Sequence, residues 1–77
     1  MKEYNEAIAF KDAVVLEFKK MRDALEKTQD EVFDETKIHV GRIESEKRDI
    51  RLTTVYRLCE YYKISVPEFF KNVYAQI

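Results

Sequence analysis

The scarcity of glycine and proline constrains the fold of this chain more than any other feature of its sequence. Among 77 residues there is one glycine, Gly41, and one proline, Pro67. Because sheets and long loops normally need more turn residues than this, the composition predicts an all-α protein. Hydrophobic residues make up 45% of the chain, which is enough for the core of one small globular domain spanning residues 1–77.

Capping residues divide the chain into separate helices. Thr28 and Glu31 have the spacing of a capping box, and Ser65 and Glu68 repeat that spacing before the last helix. Together with the hydrophobic periodicity, these signals predict five helices. The predicted bounds are an N-terminal helix at about 5–27, two short helices of a helix-turn-helix at about 28–45, and C-terminal helices at about 52–62 and 66–74.

The hydrophobic periodicity also predicts which side chains face inward. Val32 and Phe33 are expected to be buried in the second helix. Leu25 and Leu52 are expected to face the core from the first and fourth helices. Cys59 is the only cysteine, which excludes an intramolecular disulfide, and it is expected to be a small core residue.

Three apolar residues of the first helix, Ile8, Val15 and Leu16, widen its hydrophobic stripe beyond what one seam needs. They are consistent either with extra core or with the seam of a homodimer, and we favour the seam.

The segment Thr28–Glu44 carries the clearest functional pattern. Two short helices joined by a tight turn can present the second helix to the major groove of DNA. In that second helix Val40 and Ile43 are expected to point inward, because they are three residues apart. His39 and Arg42 are then expected on the outward side.

The charge distribution agrees with a DNA-binding surface on the second helix of the motif. The net charge of the chain is −1, but it is unevenly divided. Residues 1–36 carry six basic and ten acidic residues (−4), whereas residues 37–51 carry five and three (+2) and residues 52–77 carry three and two (+1). The basic excess lies in and just after the second helix of the motif, where a phosphate-binding surface is needed.

Six side chains are candidates for DNA contacts. Arg42 could fork onto guanine or a phosphate, and Gln29 stands at a helix N-terminus, where free N–H groups favour a phosphate oxygen. Lys47 and Arg48 follow the second helix and suit charge neutralisation. The structural alternatives are a helix cap for Gln29 or His39 and a solvated loop for Lys47 and Arg48. For Arg42 they are a solvated surface side chain or an intrahelical pair with Glu46. The full set is Gln29, Lys37, His39, Arg42, Lys47 and Arg48.

Motifs spread over about residues 14–70 carry a resemblance to a known family. They are Phe18, Met21 and Arg22; Thr28 to Val32; Arg42 to Glu44 with Lys47 and Arg48; Leu52 and Val55; and Ile64 to Phe70. In order and spacing the chain resembles the Cro and phage-repressor class of helix-turn-helix proteins, also called the xenobiotic-response-element (XRE) family. The stretch 34–44 is similar to a short variant common among Bacteroidetes-type regulators.

The resemblance implies a five-helix, lambda-repressor-like DNA-binding domain, often a dimer on palindromic operators. By position, Gln29 would contact phosphate and Arg42 would face the groove, while Lys47 and Arg48 would touch the DNA backbone. Arg22 and Glu44 match a family pair that forms an internal salt bridge.

The chain departs from the family pattern in two respects. It has about three residues fewer before Arg42, so the turn of helix that usually reads bases is missing, and His39 must substitute for it or specificity must come from elsewhere. In addition, Glu26, Lys37, Glu46 and Lys63 occupy positions where the family usually has glycine. Such positions favour a positive φ angle, so the turns here are expected to be tightened or strained.

The sequence therefore predicts a sequence-specific DNA-binding transcriptional regulator that contacts double-stranded DNA as a homodimer. The alternative is a protein-interaction module, antitoxin-like or an anti-repressor component, with weak or no DNA binding. No nucleophile–base pair, phosphate loop or metal cluster is recognisable, so we expect no enzyme activity, cofactor, metal or small-molecule substrate. No apolar run is long enough to span a bilayer, and we expect a cytoplasmic protein.

Overall fold

The computed structural model describes the backbone of residues 2–45 and 49–77 and the side chains from residue 5 onward within those ranges. The described part contains five α-helices and no strand, which confirms the predicted all-α fold. The helices are α1 (Lys2–Ala24), α2 (Gln29–Thr36), α3 (Val40–Ser45), α4 (Leu52–Tyr61) and α5 (Val66–Tyr74).

The first helix starts and ends earlier than the periodicity indicates. It covers Lys2–Ala24 instead of about 5–27, because the chain turns at Glu26, whose φ angle is 55°. Leu25 therefore lies in the turn, 53% exposed, and its predicted inward position is wrong.

The capping box at Thr28 is confirmed in full, and of the one expected at Ser65 the structure shows the Ser65 half. Thr28 accepts a hydrogen bond from the backbone N–H of Glu31, and the Glu31 side chain accepts one from the backbone N–H of Thr28. Ser65 accepts from the backbone N–H of Glu68, and Pro67 sits in the first turn of α5, where its missing N–H costs little.

All five helices contribute to one core. The largest fully buried side chains come from α2, α4 and α5, and the Phe18 ring of α1 stacks on Phe69 of α5 with centroids 4.2 Å apart. Fully buried are Phe69, Leu58, Val32, Val73 and Cys59. The core position predicted for Cys59 is thus confirmed.

Two apolar side chains lie further out than expected, and two apolar residues of α1 are exposed. Leu52 is 80% exposed, because it is the first residue of α4 and projects past the end of the core. Phe33 is half-buried, since its ring lies against the turn after α2 and not under the helix. Ile8 and Leu16 are 37% and 45% exposed, so they are not core residues, and the homodimer seam stays a prediction.

Candidate nucleic-acid interface

A buried ion pair fixes α3 against α1. Nε of Arg22 donates to Oε2 of Glu44 and Nη2 donates to Oε1, both over 2.9 Å. Nη1 of Arg22 also donates to the carbonyl of Lys27 at the end of the following turn, over 2.8 Å. Only about a tenth of either charged side chain is exposed, 10% for Arg22 and 9% for Glu44. The predicted internal salt bridge is therefore present, and it keeps Glu44 away from solvent.

The Glu44 carboxylate also holds the first side chain of α2. Nε2 of Gln29 donates to Oε1 of Glu44 over 3.0 Å. A Cβ atom built on Gly41 would lie 2.9 Å from Oε1 of Gln29, closer than real Cβ contacts come. The missing side chain of Gly41 thus lets the Gln29 amide lie flat against α3. One of the two N–H donors of that amide stays available.

The electrostatic consequence is a carboxylate that stays ionised. Burial acts to raise the pKa of Glu44, but the hydrogen bonds from Arg22 and Gln29 outweigh it and the pKa is lowered. The charge on Glu44 is thus neutralised by Arg22 within the protein.

The turn between α2 and α3 is built by side-chain and backbone hydrogen bonds. Oγ1 of Thr36 donates to the carbonyl of Val32 over 2.7 Å and accepts from the N–H of Ile38 over 3.0 Å. Lys37 adopts the left-handed conformation with φ 63°, and its N–H donates to the carbonyl of Phe33 over 2.7 Å. Ile38 is 6% exposed and anchors the turn in the core.

Two exposed side chains of this turn lie against one aromatic ring. The His39 imidazole is 4.4 Å from the Phe33 ring, centroid to centroid, with 30° between the planes. Nζ of Lys37 lies 5.5 Å from the same ring centroid, within the range of a cation–π interaction. We call Phe33, Lys37 and His39 the turn cluster.

An open groove of about 520 Å³ separates α2 from α3. Val40 is buried at 4% exposure and Ile43 is half-buried, as the sequence predicts, so Arg42 points outward. The groove is lined by Gln29, Asp30, Phe33, His39, Val40, Gly41, Arg42 and Ser45.

The structure brings three of the six candidate residues together. Gln29, His39 and Arg42 all line the groove, and Lys37 sits beside it in the turn cluster. Lys47 and Arg48 lie outside the described residues, as does Glu46.

Sequence reasoning missed two residues of this surface. Asp30 lines the groove together with Arg42, and its negative charge offsets that of the arginine, so the groove carries no net positive charge of its own. The position of Asp30 next to Gln29 at the start of α2 could have indicated that it lines the groove. Phe33 was expected in the core, and no sequence signal indicates its contact with His39.

Two further observations bear on the kind of site. Within residues 2–45 and 49–77, no three histidine, cysteine, aspartate or glutamate side chains are grouped closely enough to hold a metal ion. Among the helices described, none combines the length and apolar character needed to cross a membrane.

A helix-turn-helix with an outward-facing arginine and a groove between its two helices defines a DNA-binding class of protein. The sequence of residues 18–69 matches the helix-turn-helix family. This is more than half of the chain, and the protein belongs to that family, in its Cro and phage-repressor (XRE) branch. Neither a curated protein nor a solved structure matches the chain. The family is one of DNA-binding regulators and is generally non-enzymatic.

Proposed function

We propose that this protein is a sequence-specific transcriptional regulator that inserts α3 into the major groove of DNA. The observation that carries the proposal is the shared groove of Gln29, His39 and Arg42 at the junction of α2 and α3. Because Glu44 pairs with Arg22, it does not compete for Arg42, the exposed cation of α3.

In this proposal the candidate residues divide into base contacts and phosphate contacts. Arg42 contacts a base edge, with guanine O6 and N7 as its best partners. His39 supplies a second contact from the head of α3, in place of the turn of helix that the chain lacks. The remaining N–H of Gln29 donates to a phosphate oxygen at the start of α2. Lys37, Lys47 and Arg48 neutralise phosphates and set the register without reading sequence.

The proposal includes a homodimer. Two copies related by a two-fold axis would read two half-sites about one DNA turn apart, so the binding site is expected to be palindromic.

Selection of bound sequences from a random DNA library tests this proposal. We expect an enriched palindrome and an affinity that falls steeply with salt. Arg42→Ala is expected to weaken binding by roughly 5- to 100-fold and to relax the preference at one base position per half-site. No enrichment, or binding that ignores both salt and Arg42, would contradict it.

A charge reversal separates this function from the protein-interaction alternative. Lys47→Glu with Arg48→Glu is expected to abolish DNA binding. The matched control is Lys63→Glu with Lys71→Glu, which makes the same charge change in the turn after α4 and on α5. If both double variants bind DNA equally, Lys47 and Arg48 have no role in DNA binding. If the unaltered protein binds no DNA, the protein-interaction module becomes the better explanation.

A further inference from the structure

We propose that Phe33 is a positioning residue that holds the His39 imidazole in the orientation needed to read one base. The inference rests on the proposed function and assigns a role to a residue outside the six DNA-contact candidates.

Helix α3 offers few side chains for reading bases. The helix has six residues, of which Val40 is buried and Gly41 has no side chain. Glu44 is paired with Arg22, and Oγ of Ser45 donates to the carbonyl of Gly41 over 2.7 Å. Arg42 alone is a weak basis for selectivity, because one bidentate contact discriminates at one base pair.

The His39 imidazole is the next group available for a base contact. His39 directly precedes α3, is exposed, and lines the same groove as Arg42. Its carbonyl accepts the backbone N–H of Arg42 over 3.1 Å and that of Ile43 over 3.2 Å, so its backbone is fixed to the helix. An imidazole N–H can donate to the N7 of a purine in the major groove.

The backbone hydrogen bonds of His39 do not fix its side chain. An exposed histidine in a turn would normally sample several rotamers, and ordering it on binding costs free energy. The Phe33 ring, 4.4 Å away, restricts the imidazole before DNA arrives. Phe33 is half-buried on α2, a capped helix, so it is a firmer support than another turn residue.

Lys37 contacts the same ring, but its contribution is expected to be different. Its ammonium is a point charge on a flexible chain, and it can reach a phosphate from many rotamers. Loss of the Phe33 ring should therefore change base selectivity much more than affinity for unrelated DNA.

The experiment measures binding of four variants to the selected site and to a scrambled duplex of equal length. The affinity ratio is the affinity for the selected site divided by that for the scrambled duplex. Phe33→Leu is expected to lower this ratio by roughly 3- to 10-fold, which is the interaction free energy of an aromatic pair converted to a ratio of affinities. Phe33→Tyr keeps the ring and is expected to keep the ratio. His39→Ala should lower the ratio similarly, and Phe33→Leu should add nothing in the His39→Ala background.

A second measurement reports the orientation itself. His39 is the only histidine, so its ring protons give one identifiable set of NMR signals. The ring current of Phe33 is expected to shift these signals, and the shift should disappear in Phe33→Leu while circular dichroism shows an intact fold. Tyr56→Leu, which removes an exposed aromatic ring on α4, is the matched control and should change neither readout.

An unchanged affinity ratio in Phe33→Leu would overturn the inference, whether the two affinities stay the same or fall by the same factor. An additive loss in the double variant would overturn it too, because Phe33 would then act without His39. Failure of the proposed function looks different: the unaltered protein would enrich no sequence, and both proposals would fall together.

Discussion

At the scale of single residues, the most consequential contact is the ion pair between Arg22 and Glu44. It joins α1 to α3 and, through Gln29, the start of α2. A buried pair of this kind is a weak source of net stability, but removing one partner leaves the other charge without compensation. The pair therefore holds the three helices in register more than it strengthens the fold.

Glu44→Gln is expected to destabilise the protein by about 3 kcal/mol, because the Arg22 guanidinium loses its counter-charge. Chemical denaturation at pH 7 measures this change. The exposed Glu35, which accepts from Lys27 and Tyr61, supplies the control: Glu35→Gln should cost clearly less. Equal losses of stability in the two variants would mean that burial does not increase the cost of breaking the Arg22–Glu44 pair.

The lowered pKa of Glu44 also predicts a pH dependence. A carboxylate whose pKa is lower in the folded than in the unfolded chain stabilises the fold above the unfolded value, about 4.3 for glutamate. That stabilisation is lost as the pH falls through the folded pKa. Below about pH 4.3 the free energy of unfolding should therefore decrease, and it should decrease less in Glu44→Gln. Some dependence should persist in that variant, since hydrogen bonds also lower the pKa values of Glu31 and Glu35.

At the scale of the helices, three ends are formed by residues with an unfavourable backbone conformation. Glu26, Lys37 and Lys63 have φ angles of 55°, 63° and 59°, which only glycine adopts without cost. These residues occupy three of the four positions where the family usually has glycine. The positive φ angles confirm the strain expected at these three turns.

Glycine at each of these three positions is expected to raise the stability by up to about 1 kcal/mol, because it removes the cost of the left-handed conformation. Thermal unfolding of Glu26→Gly, Lys37→Gly and Lys63→Gly measures this effect. Only Lys37→Gly should also weaken DNA binding, since the other two turns lie away from the turn cluster. A similar loss of DNA affinity in Lys63→Gly would contradict the role assigned to Lys37.

Helix ends also show how far the sequence determines the site. The caps at Thr28 and Ser65 could be predicted because each depends on residues three positions apart. The exposure of Leu52 could not be predicted, because periodicity gives the face of a helix but not where that helix ends relative to the core. The stacking of Phe33 on His39 depends on the left-handed turn at Lys37, a conformation that the spacing of apolar residues does not encode.

At the scale of the whole molecule, charge is divided unevenly. The N-terminal half is acidic, and Asp30 extends that acidity into the groove beside Arg42. We therefore expect the electrostatic attraction for DNA to come mainly from Lys37 and from the basic residues that follow α3, and we expect the affinity for unrelated DNA to be low.

Asp30→Asn is expected to raise the affinity for any duplex by a few-fold, with the largest effect at low salt, because it removes a repulsion of phosphate. Fluorescence anisotropy over a salt series measures it. Glu60→Gln makes the same change in net charge in the groove between α2 and α4, and it should have a smaller effect. Equal gains in the two variants would show that net charge acts without regard to its position.

The buried thiol of Cys59 makes the opening of this core directly measurable. Its side chain is 1% exposed, and burial raises the pKa of the thiol, so the reactive thiolate is scarce in the folded protein. Alkylation by a maleimide should proceed only as fast as α4 detaches, and bound DNA should slow it if DNA stabilises the folded form. With no other cysteine to react, one labelling rate reports how often the interior becomes accessible to solvent.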